Sequence, residues 1–247
     1  MLPAMAALKD CLRLEARHAD EIAGQLGDFE APVDAIVWLC FQVAETGPGI
    51  NHKATTSLSR LLVDSAVHVE QAFVSVVRGQ PRLGWTAMRL AAEALKDLVC
   101  IEQHPPLHEL WLNLARSSTE DEVQAAKAAF QAERKNVRDT PLTQVCMKTM
   151  SLCNHFGAHP NGGSWATLGP TKPISDDHMS IPPRLTDATM VRWHVQHMLV
   201  HAVPILDALA QFRARYLLAA DAAELLRKRD AALRTAWPLV EAVAKGR

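Results

Sequence analysis

The sequence has no strong excess of charge of either sign. Its 26 basic and 27 acidic side chains leave a formal net charge of −1. Proteins that attract nucleic acid through their overall electric field carry a large basic excess. The composition therefore excludes this mechanism for the molecule as a whole, whereas a local basic patch is compatible with it.

Cysteines are few, and none of them forms a CxxC pair. They are Cys11, Cys40, Cys100, Cys146 and Cys153. An odd number in apolar helical contexts indicates reduced thiols of the core rather than a disulfide framework. For Cys153, next to Asn154 and His155, a nucleophilic role is the alternative, although adjacent side chains of a helix point in different directions.

Long apolar runs are absent as well. The most apolar segment, 31–44, contains Asp34 and Gln42 and is too short to span a bilayer. Near the N-terminus, Lys9 and Asp10 interrupt the apolar residues, which is unlike a secretory signal peptide. We therefore expect a soluble, cytoplasmic protein with no membrane partner.

The sequence contains no complete catalytic or cofactor motif. It has no HExxH, no phosphate-binding loop and no dinucleotide fingerprint. Gly162 and Gly163 lack the preceding strand and following helix that a phosphate-binding loop requires. We therefore expect no cofactor, and candidate sites have to be sought among groups of polar side chains.

Apolar residues recur at spacings of three and four along most of the chain, which predicts helices. Thr119 with Glu122 has the pattern of a capping box, and Thr140 with Pro141 marks the start of another helix. The 49% of hydrophobic residues is ample for a core without a disulfide or metal. We predict an all-α fold, a single domain over residues 1–247 that forms a bundle of about eight or nine helices. The core would span about 55–216, with the terminal helices packed onto it.

An irregular insert is predicted near 160–185, where Gly, Pro, Ser and Thr are frequent. It would be either a long ordered loop or a short hairpin around 165–168. The long helix that follows contains Pro204, which should kink or divide it. His104 and His108 flank two prolines and are predicted to be surface residues at a corner.

The segment 147–165 is the strongest candidate for a functional site. It begins as a helix, carries Ser151, Asn154, His155 and His159 close together, and breaks at Pro160. A polar cluster at a helix end followed by a loop is where a helical protein can expose chemistry.

Three histidines lie on one side of the long helix that follows the insert. His194, His197 and His201 are spaced three and four apart, and His155 and His159 are also four apart. Such spacing suits a transition-metal site, which makes the triplet a metal candidate. The alternative is that histidines at the border of an apolar stripe bond to backbone or water, since no acidic ligand is interleaved with them.

Two groups of charged residues can each be interpreted in two ways, as a binding site or as an ordinary structural feature. Arg134, Lys135 and Arg138 could hold a phosphate, or they could be a solvated helix end where cations offset the helix dipole. Arg89 and Glu93, four apart between apolar neighbours, form either an exposed intrahelical ion pair or, if buried, part of a pocket.

Two stretches together resemble bacterial helical families related to HEPN domains. The helix GWTAMRLAAEALKDL is similar to the Arg…Glu helix of those families, and SLCNHFGAHPN is similar to their helix end with Ser/Asn and His-Pro. The resemblance spans roughly 55–216 and carries over Arg89, Glu93, Ser151, Asn154 and His159, with His155 as a neighbour of the motif.

The resemblance implies a helical bundle that is often a homodimer, and a bacterial stress or phage-defence role. Many HEPN domains are metal-independent RNases, whereas others bind ligands or partners. The RNase form has Arg, then four to six residues, then His, and the helix leading to His155 and His159 has no Arg at that spacing. The pairs Arg13–His18 and Arg192–His197 have the spacing but occur at about the number expected by chance.

The leading hypothesis is a HEPN-like module that binds a ligand, nucleic acid or a partner protein where Asn154, His155 and His159 meet Arg89 and Glu93. Arg134 and Arg138 would be phosphate contacts. One alternative is a metal-independent RNase that uses His159 or His155 as general acid or base and an Arg to stabilise the phosphate. Further alternatives are a metal-dependent hydrolase built on the histidine triplet and a structural interaction protein without a pocket.

Overall fold

The structure, a computed structural model, describes residues 13, 16–45, 53–158, 172–175, 178–180 and 187–245. Within these ranges the chain is helical apart from one short hairpin and the connecting turns. The predicted all-α fold is confirmed. The core is formed by helices packed on helices, and the only strands of the described ranges belong to the hairpin.

Within 53–153, and again within 188–244, the helices follow one another with short connections, whereas the insert separates these two groups. Residues 16–23 are helical and lead into a 3₁₀ turn, Gly27–Phe29. The helices that follow are α1 (Glu30–Ala44), α2 (Lys53–Val77), α3 (Pro81–Gln103), α4 (Leu107–Arg116), α5 (Glu120–Arg134), α6 (Pro141–Cys153), α7 (Ala188–Ala214) and α8 (Ala219–Ala244). A π-helical turn, Asn154–Ala158, continues α6.

The predicted helix starts form as expected. Thr119 accepts a hydrogen bond from the backbone N–H of Glu122, and the Glu122 carboxylate accepts from the backbone of Thr119. At α6, Thr140 accepts from the backbone N–H of Thr143, and Pro141 follows at the first helical position. These bonds satisfy N–H groups that have no partner inside the helix.

The α2–α3 hairpin forms the centre of the core. Its turn contains Gly79 with φ of 73°, a left-handed conformation that favours glycine. At Gly84 the two helices approach closely, because a Cβ there would lie 2.7 Å from the carbonyl oxygen of Ala72 and from Val76. Helix α3 therefore needs glycine at this position, and its next residue, Trp85, is fully buried.

Helix α7 packs against α1, α2, α3 and α8 and completes the core. Pro204 lies within it, yet the helix runs unbroken from Ala188 to Ala214, so of the two predicted outcomes, a kink or a division, the division is wrong. Val203 and Ile205 on either side of the proline are buried, at 5% and 0% exposure. This packing stabilises the helix through the position where the proline removes one backbone hydrogen bond.

The C-terminal half of the chain holds the N-terminal segment in place. Arg192 of α7 donates from Nε to the carbonyl oxygen of Gln25 at 2.9 Å. Arg213, only 3% exposed, donates to the carbonyl oxygen of Glu45 at 2.7 Å, just after α1. These charged side chains satisfy backbone oxygens at both ends of the 25–45 segment.

The predicted irregular insert contains a small antiparallel hairpin of β1 (Lys172–Ser175) and β2 (His178–Ser180). Its register is irregular between Pro173 and Ser175. The candidate hairpin at 165–168 and the site residue His159 lie outside the described residues. None of the described helices is both long and apolar enough to cross a membrane.

Candidate functional site

The two segments that carry the candidate site residues pack side by side. Helix α3, with Arg89 and Glu93, lies against α6 and against the π-helical turn that begins at Asn154. The indole of Trp85 and the ring of Phe156 are stacked, with centroids 5.2 Å apart. The turn that carries Asn154 and His155 is thereby fixed against the first half of α3.

A cleft of about 680 Å³ lies between α3, α5, the 135–139 connection and α6. Its basic lining residues are Arg89, Lys96, Lys127, Arg134, Lys135 and Arg138. Its acidic lining residues are Glu93, Asp97 and Asp139. Six cations against three anions give the cleft a formal charge of +3, in a protein whose formal net charge is −1. The cleft is thus a local basic patch, which is not apparent from the net charge of the whole chain.

Four residues predicted as binding candidates line this cleft together: Arg89, Glu93, Arg134 and Arg138. Arg89 donates from Nε to Glu93 Oε1 at 3.0 Å, one helical turn away. Their side chains are 30% and 36% exposed, so the pair belongs to the cleft wall rather than to the core. A partly exposed ion pair of this kind stabilises the helix by about 0.3 kcal/mol.

The cleft also contains a more buried ion pair that the sequence does not reveal. Nη1 of Arg134 lies 2.9 Å from Oδ1 of Asp97, and the side chains are 17% and 22% exposed. Burial raises the pKa of Asp97 to about 6; Arg134 and Lys96 oppose the increase, whereas Glu93 adds to it. The sequence does show that Glu93 and Asp97 are four apart on one helical face, which could have indicated an acidic pair. It does not show that Arg134, far away in the chain, is the partner of Asp97.

Helix α5 is held against the end of α3 by a second contact. Nε2 of His104 lies 2.5 Å from Oε1 of Glu133. The hydrogen bond from His104 lowers the pKa of Glu133. Together with Arg134–Asp97, this contact fixes the C-terminal end of α5, which carries much of the basic wall.

The polar residues at the end of α6 do not line the cleft. Ser151 and His155 are exposed, and Asn154 is half-buried with its Oδ1 atom shielded from solvent. The ring of His155 touches Phe156 edge-on, at 5.0 Å between centroids. Met150, which does line the cleft, precedes Asn154 by one helical turn, so the turn continues along the same side of α6.

Below the π-helical turn, α3, α6 and α7 share a buried cluster of aromatic and imidazole rings. Trp85 donates from Nε1 to Nδ1 of His194 at 3.1 Å, and His194 is 0% exposed. His201 Nδ1 lies 2.9 Å from the hydroxyl of Thr149. Burial, with a smaller contribution from His197, lowers the pKa of His201 to about 4.

The histidine triplet is therefore integrated into the packing of the bundle. His197 donates from Nδ1 to the carbonyl oxygen of Trp193 at 2.8 Å, so each of the three imidazoles has a different partner for this nitrogen. Among the described residues, no three His, Cys, Asp or Glu side chains are grouped so that they could hold a metal ion. His194 and His201 are thus hydrogen-bonded to side chains of α3 and α6, and His197 is hydrogen-bonded to the backbone of its own helix.

The described cysteines are free thiols, and all are buried: Cys40, Cys100, Cys146 and Cys153. Burial raises the pKa of the Cys153 thiol to about 12. A thiol with so high a pKa is a poor nucleophile, which disfavours the catalytic alternative for Cys153. The prediction that His108 is a surface residue is wrong, since this side chain is buried at 7% exposure.

Comparison with known proteins gives no assignment: no family model, no curated protein and no solved structure matches the chain.

Proposed function

We propose that the chain is a HEPN-like helical module that binds a phosphorylated ligand in the cleft between α3, α5 and α6. One observation carries the proposal: six basic side chains converge there against three acidic ones, although the chain as a whole is slightly acidic. Local convergence of Arg and Lys is the arrangement that recognises phosphate.

The position of Arg134 adds to this argument. Its side chain is 17% exposed, so a phosphate bound there would be partly shielded from water. Charge-assisted hydrogen bonds are stronger where the local dielectric is low. Arg138 and Lys135 are exposed beside it and could contact further phosphate oxygens.

Binding of anionic ligands to the purified protein tests the proposal. We expect inorganic pyrophosphate and a short fluorescent single-stranded oligonucleotide to bind wild-type protein. A Lys127→Ala/Arg138→Ala variant should bind both at least about tenfold more weakly, with a smaller salt dependence for the oligonucleotide. Arg227→Ala and Lys245→Ala remove exposed cations of α8 and its end, outside the cleft, and are the matched controls.

Equal binding by the cleft variant and by the α8 controls would contradict the proposal. Pyrophosphate binding without oligonucleotide binding would restrict the ligand to small phosphorylated molecules. The resemblance leads us to propose further that the protein is a homodimer in a bacterial stress or phage-defence context. Sedimentation velocity tests the oligomeric state.

A metal-independent RNase is the second proposal, favoured by the exposed imidazole of His155 on a turn that packs against α3. There His155 or His159 would transfer protons, and Arg89 would stabilise the phosphate. Labelled RNA should then be cleaved in the presence of EDTA. Retained cleavage in both His155→Ala and His159→Ala would eliminate this mechanism, and loss in only one would identify the acid or base.

A further inference from the structure

Asp97 places a negative charge beside the cation that we expect to hold the ligand's phosphate. Its Oδ1 atom lies 2.9 Å from Nη1 of Arg134, and the two side chains are 22% and 17% exposed. The other two carboxylates of the cleft are placed differently: Glu93 pairs with Arg89 on its own helix, and Asp139 is exposed. Asp97 is therefore the carboxylate that already occupies part of Arg134.

The charged and titratable groups that line the cleft with Asp97 come from three parts of the chain. They are Arg89, Glu93, Lys96 and Cys100 of α3, Lys127 and Arg134 of α5, and Lys135, Arg138 and Asp139 of the connection that follows. Helix α6 adds Thr143 and Met150, which carry no charge. A bound phosphate adds a further anion to this set, next to Asp97.

A phosphate on Arg134 would lie close to the Asp97 carboxylate without touching it. The guanidinium lines the cleft, so its N–H groups other than those that face Asp97 remain for a phosphate. A phosphate oxygen at about 3 Å from one of them lies within about 8 Å of Asp97 Oδ1. Two anions that share one partly buried cation repel each other, and the carboxylate relieves this repulsion when it takes up a proton.

Resting on the function proposed above, we infer that an anion binds at Arg134 together with a proton, and that Asp97 is the group that receives the proton. The proton comes from the solvent, and the neutral carboxyl group then leaves the charge of Arg134 to the phosphate. Because coupling between two binding events is reciprocal, protonation of Asp97 in turn strengthens anion binding. The cleft should therefore bind phosphorylated ligands more tightly in mild acid.

The protonation state of Asp97 in the free protein makes this coupling effective near neutral pH. Burial raises the pKa of Asp97 to about 6, so the group is mostly ionised at pH 7 before a ligand binds. A nearby anion raises the pKa further, since it disfavours the charged form. A proton is then taken up on binding at a pH where the free protein lacks it.

Calorimetric titration with anions that do not titrate themselves tests the inference. Trimetaphosphate and a short oligothymidylate keep their full phosphate charge between about pH 5 and pH 8. Near pH 7, titrations in buffers of different ionisation enthalpy should show uptake of at least about 0.3 proton per anion bound to the wild-type protein. The affinity should increase about threefold or more when the pH is lowered from about 7.5 to about 6.

Two variants identify the group that takes up the proton. Asp97→Asn lacks it, so binding should be tighter than in the wild type at pH 7.5, and proton uptake should fall below about 0.1 per anion. Asp139→Asn is the matched control, because it removes an exposed carboxylate of the same cleft. It should keep the proton uptake of the wild type, although it also removes a negative charge. Circular dichroism establishes that each variant is folded.

The possible outcomes separate this inference from the function on which it rests. Anion binding to the wild-type protein without proton uptake would overturn the inference and leave phosphate binding intact, and this result needs no variant. Uptake that persists in Asp97→Asn would also overturn it, since another group would then receive the proton. If neither of the two anions nor pyrophosphate binds, the proposed function fails, and the inference fails with it.

Discussion

Trp85 and His194 are joined by a hydrogen bond of 3.1 Å from indole Nε1 to imidazole Nδ1, although 109 residues separate them in the chain. Because Nδ1 accepts, His194 is in the neutral form with its hydrogen on Nε2. The bond links the first half of α3 to α7 beneath the π-helical turn. Trp85 also stacks on Phe156 of that turn, so one buried side chain connects three elements.

Trp85→Phe should destabilise the protein by about 2–4 kcal/mol. The substitution leaves the buried His194 nitrogen without its donor and removes part of a fully buried ring. Urea unfolding followed by circular dichroism measures the change. Trp237→Phe is the control, because Trp237 is 51% exposed and the change should stay within about 0.5 kcal/mol. Equal effects of the two substitutions would contradict the structural role of Trp85.

The protein should lose stability in mild acid because of His201. The pKa of this group falls from an ordinary 6.5 to about 4 on folding, so the unfolded chain takes up a proton first as the pH is lowered. Stability therefore decreases as the pH falls from about 6.5 to about 4, by up to about 3 kcal/mol. Urea unfolding at several pH values measures it. His201→Gln should flatten this dependence, whereas His68→Gln, a substitution on the outer side of α2, should leave it in place.

Asp97 should contribute a pH dependence of the opposite sign. Its pKa rises from 3.8 to about 6 on folding, so folding binds a proton between these values. Stability from this group is present at low pH and is lost as the pH rises through about 6. Asp97→Asn imitates the protonated form and should stabilise the protein at pH 7 by about 1–3 kcal/mol. A loss of stability in this variant would mean that the ion pair with Arg134 outweighs the cost of burial.

Gly84→Ala should destabilise the protein by about 2–4 kcal/mol, because the new methyl group would meet the carbonyl oxygen of Ala72 and the side chain of Val76 at 2.7 Å. The backbone oxygen cannot move without separating α2 from α3. Gly24→Ala is the matched control, since its nearest atom would lie at an ordinary 3.5 Å. Thermal unfolding should separate the two variants clearly, and similar melting temperatures would contradict the close approach at Gly84.

Thr119→Ala should cost about 1 kcal/mol by removing the cap of α5, since the N–H of Glu122 loses its acceptor. Thr119→Ser keeps the hydroxyl and should restore most of the loss. Urea midpoints of the two variants provide the comparison. Because α5 carries Lys127 and Arg134, the alanine variant should also weaken pyrophosphate binding slightly, and the serine variant should not.

Much of the architecture could be predicted because its signals are local. The cap at Thr119 depends on residues three positions apart, and the hydrophobic periodicity that places a helix is visible within one window. The division predicted at Pro204 does not occur, because the local rule for proline ignores packing on both sides of the helix. His108 was misassigned for the same reason: two prolines indicate a corner but not which side of α4 faces the core.

The candidate site was predictable only in parts. Arg89 with Glu93 and Arg134 with Arg138 were recognisable as separate charged groups, each with an ordinary surface explanation. Their meeting in one cleft depends on how α5 returns to α3, which no short spacing encodes. Asp97 cannot be singled out from the sequence, because its significance comes from burial and from a partner 37 positions away, and neither is present in the local pattern.

The hydrogen bonds from α7 to the carbonyl oxygens of Gln25 and Glu45 have a consequence for biosynthesis. The acceptors leave the ribosome long before their donors, Arg192 and Arg213. At translation rates of about 5–20 residues per second, the delay is on the order of ten seconds. During that interval α1 packs against α2 but not yet against α7 or α8, so part of its apolar surface is exposed on the nascent chain.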